Sequence, residues 1–259
     1  MRTQSITDEK PTPLSLERFT PAQVALAAQA WPMRAAEELR SAAIFRGLRA
    51  GLRALVLGDP LDAALTAVID DELRHTRLCV HMGQRLGAGA PAYDLRPVRE
   101  RLATLATPEL RVFCVLLVEA ALGETLSTAL FRAGARLATE PATHAALSAI
   151  LPDEVRHARL GWEALHERLP QAAGSLRARL QQEATWALAA LERDVAVPAL
   201  RWLEADRPFD PALAELGVLP PAVRVEEFYT TVERLLVPRL SELGLDGPRA
   251  WSERYRPTT

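Results

Sequence analysis

One stretch of this 259-residue chain occurs twice. At an offset of 82, DAALTAVIDDELRHTRL (62–78) lies over HAALSAILPDEVRHARL (144–160), with ten identities in seventeen positions. A second pair, Glu38-x-x-Ser41-x-x-x-Phe45-Arg46 and Glu124-x-x-Ser127-x-x-x-Phe131-Arg132, matches at an offset of 86. The change of offset falls between the matched blocks and amounts to about one helical turn. The chain therefore reads as two copies of one helical hairpin, each with a Glu on its first helix and a DExRH on its second.

Ala, Leu, Arg and Glu dominate, and no segment alternates with period two, so the predicted fold class is all-α. Thr20-Pro21, Gly58-Asp59-Pro60, Thr107-Pro108-Glu109 and Glu140-Pro141 each place a proline in a helical first turn. The expected layout is an N-terminal segment with a short helix at about 21–31 (domain 1–32). A four-helix bundle follows over 33–170, with helices at about 33–57, 60–86, 108–138 and 141–169. Residues 87–107 form its long crossover. A helical extension over 171–259 completes the chain, with a helix at about 175–205 interrupted near Pro198 and another at about 222–243 around Pro238.

The repeat carries chemistry. Glu72 and His75 are three apart, as are Glu154 and His157, so each pair shares one helix face. If those faces turn inward, two carboxylates and two imidazoles meet, joined by Glu38 and by a Glu of the third helix. A buried carboxylate cluster needs cations, and two divalent metals neutralise four carboxylates. For the third helix the choice is between Glu124, which matches Glu38, and Glu119, which interrupts the apolar run VFCVLLVEAALGE. On an ideal helix these two point about 140° apart. Both face one centre only if the helix widens locally, as in a π-bulge. Glu124 is the predicted ligand and Glu119 an added or alternative one. Asp71 and Asp153 are placed to accept from the outer nitrogens of the histidines, each from the opposite hairpin, with Arg74 and Arg156 balancing charge. Glu163-x-x-His166 lies half a turn off the ligand face and reads as a surface pair. Glu37, His81 and His144 read as solvated or helix-end residues.

Glu38, Glu72-x-x-His75, Glu124 (or Glu119) and Glu154-x-x-His157 resemble the ligand set of the ferritin-like di-iron carboxylate superfamily. In detail, ELRSAAIF, DELRHTRLC, GETLSTALF and DEVRHARLGW are similar to ferritin-like domain proteins of GC-rich bacteria. The resemblance covers residues 33–169. It implies a ferritin-like bundle holding two Fe ions, or a Mn/Fe pair, that reacts with O2 or peroxide, and it supplies no substrate. A rubrerythrin-type second iron centre needs four cysteines, and the chain has two. The ribonucleotide reductase small subunit needs a tyrosine beside its iron, whereas Tyr93, Tyr229 and Tyr255 lie outside the four bundle helices. Storage ferritins stop soon after the bundle, while this chain continues for some ninety residues that either roof a substrate pocket or make a homodimer interface. The leading expectation is a non-haem di-iron oxidase or oxygenase that activates O2 for a small organic substrate, with an electron donor still to be named. A ferroxidase or peroxide scavenger, and a helical interaction module with a vestigial metal site, remain open.

Composition removes other classes. With 31 basic against 33 acidic residues and a net charge of -2, no basic excess exists for nucleic acid or an anionic membrane. The start shows no signal-peptide core, and the longest clean apolar run, Val112 to Val118, is far below a membrane span. Cys79 and Cys114 lack CxxC spacing and read as buried free thiols of a cytoplasmic protein. Of the basic residues only Lys10 is a lysine, which GC-rich codon usage explains.

Overall fold

The computed structural model describes residues 12–55, 59–96 and 104–255. All secondary structure among them is helical. Helices α1 (Pro21–Ala54) and α2 (Asp59–Arg85) form one antiparallel hairpin. Helices α3 (Pro108–Leu137) and α4 (Pro141–Arg168) form the second. The turn around Gly58 and residues 97–103 of the expected crossover lie outside the described residues. Helix α3 has three parts: α-helical Pro108–Val115, a π-helical stretch Leu116–Gly123, and α-helical Glu124–Leu137.

Capping follows the sequence signals. Thr20 accepts from the Gln23 backbone N–H while the Gln23 side chain accepts from Thr20 N, a closed capping box ahead of Pro21. Thr107 caps α3 through Leu110 N at 3.1 Å. Buried Glu140 caps α4 through Thr143 N at 2.7 Å.

The expected break at Pro32 does not occur: α1 runs unbroken from Pro21 to Ala54. Proline in a helix interior costs about 3 kcal/mol. Here Ala27, Ala28, Trp31 and Ala35 are buried on both sides of it, and packing of that face outweighs the local cost.

Beyond the bundle, α5 spans 174–204 and α7 spans 221–242, with short helices α6 (Pro211–Glu215) before and α8 (Gly247–Ser252) after the latter. Each long helix carries a π-helical turn, Glu192–Ala196 and Val232–Leu236, ending two residues before its internal proline, Pro198 or Pro238. The carbonyl four residues before each proline falls inside the widened turn, which relieves the clash with the ring. The interruption expected near Pro198 is this π turn, and the helix continues through it.

Two apolar clusters hold the molecule together. One joins Phe45, Leu65, Leu116, Leu122 and Trp162 of the bundle to Leu180, Leu188, Phe228 and Leu236 of the extension. The other joins Trp31, Cys79, Met82, Phe131, Leu147 and Ile150 to Leu213 and Leu216. A band of buried polar residues separates them: Glu38, Glu72, His75, Thr76, Glu124, Asp153, Glu154 and His157. Helix α3 is long and apolar enough to cross a membrane by composition, longer than its clean apolar run suggested, yet 78% of its most apolar stretch is buried inside the fold. It packs as a core helix of the fold.

Candidate metal centre

The polar band brings six of the predicted ligands to one place. One ligand atom from each of Glu38, Glu72, His75 and Glu154 lies within 4.8 Å of the others. The same holds for Glu72, Glu124, Glu154 and His157. The two groups share Glu72 and Glu154, the glutamates of the repeated DExRH motif, while Glu38 with His75 and Glu124 with His157 are private to one group each. His75 Nδ1 is 3.3 Å from both Glu38 Oε2 and Glu154 Oε1, and His157 Nδ1 is 3.0 Å from Glu72 Oε1. The two imidazole centroids are 5.9 Å apart.

Whether this set suits divalent cations can be tested on its unsatisfied atoms. Glu72 Oε1, Glu124 Oε2, Glu154 Oε1, His75 Nδ1 and His157 Nδ1 are all buried without a hydrogen-bond partner. An orphaned buried polar atom costs about 1–3 kcal/mol, more when charged, and here five are turned on one spot. Without cations two of the acids resist ionisation. Burial first, then the charges of Glu154 and Glu72, push the Glu38 carboxyl up to about 8 despite the His75 imidazole beside it. Burial and Glu154 push Glu124 well above the carboxylate range. The histidines move the other way from burial alone. Burial lowers them, but Glu154 and Glu38 raise His75 to about 10, and Asp71, Glu124 and Glu72 raise His157 to about 12. The donor set fits two divalent cations: four carboxylates neutralise them, and two imidazole nitrogens become ligands as the cations displace their protons.

The outer faces of the histidines are held as the spacing anticipated. Asp153 Oδ2 lies 3.1 Å from His75 Nε2, and Asp71 Oδ2 lies 3.3 Å from His157 Nε2, each across the hairpin boundary. Arg74 bonds both aspartates, as does Arg156. Burial opposes the charge on both aspartates, yet the histidine and Arg74 bonds hold each below its ordinary value. This collar fixes Nδ1 of each imidazole toward the centre.

Glu119 stands apart from both groups. It receives the Arg40 guanidinium at 3.2 and 3.4 Å, and Arg40 also bonds Glu37 at 3.1 Å. The helix does widen between Glu119 and Glu124, as the π stretch Leu116–Gly123. It carries Glu119 to Arg40 while Glu124 faces the cluster, so the two do not share the centre. The remaining motif lies on the surface: Glu163 pairs with Arg159 at 2.6 Å.

Four contacts escaped the sequence. Ser127 donates to Glu154 Oε2 at 2.7 Å; its place in the repeated E-x-x-S frame was the available signal. Trp162 donates to Thr125 Oγ1 at 2.8 Å, and Thr125 donates to Ala121 O at 2.6 Å within the π stretch. Beside Trp162, Gly161 touches the same stretch: a Cβ there would lie 2.2 Å from Ala120 O. Neither Trp162 nor Gly161 carried a motif that would have singled it out.

No protein-family profile and no curated protein sequence matches this chain. Among solved structures it is similar to "Protein 19 with aldehyde deformylating oxidase activity" from Synechococcus, with 18% sequence identity and a TM-score of 0.60. The likeness covers 90% of this chain and 97% of that one, so it takes in helices of the extension as well as the bundle. At this identity the likeness concerns the fold, and the fold is an all-α, ferritin-like helical bundle.

Proposed function

We propose that this chain is a non-haem di-iron oxidase that uses O2 to oxidise a small organic molecule. The observation that carries this function is the pair of four-residue groups joined through Glu72 and Glu154, with five ligand atoms orphaned around one centre. Glu38 and His75 would hold one iron and Glu124 and His157 the other, with Glu72 and Glu154 available to both. When bound, such a pair supplies two redox-active, Lewis-acidic ions with coordination positions left for oxygen. The protein's own part is definite. Asp71 and Asp153 hold each imidazole by its outer nitrogen. Ser127 fixes one oxygen of Glu154. Phe45, edge-on to His157 at 6.4 Å, and the two apolar clusters exclude bulk water. The likeness to a protein with oxidase activity supports the same class of chemistry.

The test is metal analysis after iron-supplemented growth, followed by oxygen uptake on a panel of organic substrates. Close to two irons per chain and substrate-dependent O2 consumption are expected. A chain that takes up no iron, even on anaerobic reconstitution, would overturn the assignment. Oxygen uptake driven only by added Fe(II), with iron mineral as product, would replace it with a ferroxidase.

A further inference from the structure

One end of the bundle holds two arginines that no acid among the described residues engages. Arg34 lies on α1, one helical turn before Glu38. Its guanidinium lies over Trp31 and Phe131, 4.8 and 5.5 Å from the ring centroids. Nη2 donates to Gly217 O at 3.1 Å, while Nη1 is buried without a partner. Gly217 has φ of +90°, and a Cβ there would meet the Trp31 ring and the Thr143 methyl at 3.2 Å. Thr143 is fully buried, and its Oγ1 also lacks a partner. Two residues that each keep an orphaned donor, Arg34 and Thr143, therefore flank one glycine.

The loop through Gly217 leads into α7, whose first turn carries Arg224. Arg224 is half-buried, and burial together with the charge of Arg34 lowers its affinity for its own proton. Two acids of the same segment are engaged elsewhere. Glu227, on the next turn of α7, pairs with Arg136 at 3.3 Å, and Glu215 pairs with Arg18 at 2.5 Å. Within the metal centre the charges close without these arginines. Two divalent cations match four carboxylates, and Arg74 and Arg156 match Asp71 and Asp153. Two like charges partly removed from water and left unmatched are costly unless an anion joins them.

We propose that Arg34 and Arg224, with the Thr143 hydroxyl, form a subsite for the carboxylate of an organic acid whose other end reaches the metal centre as substrate. A guanidinium with free N–H groups takes a carboxylate by paired, charge-assisted hydrogen bonds. Trp31 and Phe131, under the Arg34 guanidinium, hold it in place. That the acid is a substrate rests on the oxidase function proposed above, whereas the anion subsite does not.

The experiment is calorimetric titration of the zinc-loaded protein with octanoate, octan-1-ol and inorganic phosphate, on wild type, R34Q and R224Q. Zinc is chosen because it does no redox chemistry. Octanoate should bind, with the alcohol and phosphate at least about 10-fold weaker, and each substitution should weaken octanoate by about 10–100-fold. Ligand-free R224Q should melt no lower than wild type, because the substitution removes a repulsion; a merely structural arginine would lower it. The alcohol or phosphate binding as well as octanoate would overturn the proposal. So would unchanged octanoate binding in R224Q, whatever happens to the fold of R34Q. If the chain binds no zinc but still needs both arginines for octanoate, the anion subsite stands, and the substrate role falls together with the oxidase.

Discussion

The two hairpins carry the same ligand frame on differently built first helices. In the first, α1 passes through Pro32, six residues before Glu38, and stays α-helical. In the second, the position that matches Pro32 at the offset of 86 is Val118, inside the π stretch Leu116–Gly123 and six residues before Glu124. Both copies thus disturb the regular hydrogen-bond ladder at the same distance ahead of a ligand glutamate. Proline does so by lacking an N–H, and the π stretch does so by widening the helix. The consequence shows on the neighbouring helix. The widened backbone of α3 presses on α4 at Gly161, where a Cβ would come within 2.2 Å of Ala120 O. At the offset of 82, Gly161 matches Cys79, which sits against the unwidened α1 and keeps a buried side chain. The glycine is the second hairpin's accommodation of its own bulge.

The sharpest way to break this comparison is to give both positions the same residue. G161A puts a methyl against backbone atoms that cannot turn aside, and overpacking of this kind costs about 3 kcal/mol or more. The melting temperature should fall by roughly 6–12 °C for a domain of this size. C79A removes only a thiol and should cost about 1 kcal/mol. Because the bulge carries Glu124, G161A should also weaken the Glu124–His157 metal position more than the Glu38–His75 position, read as two resolved steps in a Co(II) titration. Equal melting temperatures for G161A and C79A would show that the π stretch does not need the glycine.

A second effect follows from the acids and histidines at the centre. In the metal-free fold Glu38 keeps its proton to about pH 8 against an ordinary 4.5, and His75 keeps its own to about 10 against 6.5. In both windows the native state holds protons that the unfolded chain has released, so stability must fall as pH rises from about 5 to 10. Bound metal displaces those protons and flattens the slope. Melting curves of metal-free and zinc-loaded protein between pH 5.5 and 8.5 should diverge with rising pH. Zinc affinity should tighten on the order of 10-fold per pH unit for each proton displaced. Parallel curves would mean that the cluster is not where the metal binds.

Much of this was legible because its signals are local and repeated. A three-residue spacing between Glu and His survives any tertiary arrangement, and finding it twice in one frame placed both helices in one bundle. The crossed pairing of Asp71 and Asp153 with the opposite histidines followed from the same symmetry. The phase between Glu119 and Glu124 was not legible, because a π insertion turns everything beyond it by about 100° and no residue preference announces it. Pro32 reads as a break because its local cost is visible in sequence, while the burial of Trp31 and Ala35 that offsets it is a tertiary property. The engagement of Glu119 by Arg40 belongs to the same class: two side chains far apart in sequence with no shared frame.

The collar of aspartates allows a finer comparison. D153N removes the acceptor of His75, and D71N that of His157. Loss of such an outer partner lowers metal affinity by about 10–100-fold. The Asp153 side chain is 9% exposed and that of Asp71 is 19% exposed, so water replaces the lost acceptor more easily at Asp71. D153N should therefore weaken zinc more than D71N, and each should act first on the metal position of its own histidine. If the two variants weaken both positions equally, the histidines are held as one unit and not hairpin by hairpin.

The smallest effect is expected at Pro32, where the two copies differ most visibly in sequence. P32A restores an N–H donor to the turn that starts at Ala28, which favours the helix. It also frees the unfolded chain, which disfavours folding by about 0.4–1 kcal/mol. Around this position Trp31, Ala35 and the backbone of α2 at Gly83 are already packed: a Cβ on Gly83 would meet Pro32 Cδ at 3.4 Å. The helix therefore gains little it does not have, and P32A should melt within about 2–4 °C of wild type, a net change near ~1 kcal/mol. The informative readout is the metal. If the proline sets the phase of Glu38 as the π stretch sets that of Glu124, P32A should weaken the Glu38–His75 position by a few-fold with no loss of stability. A variant with unchanged affinity at both positions would mean that α1 needs no irregularity, and that the widening of α3 corrects a register error peculiar to the second hairpin.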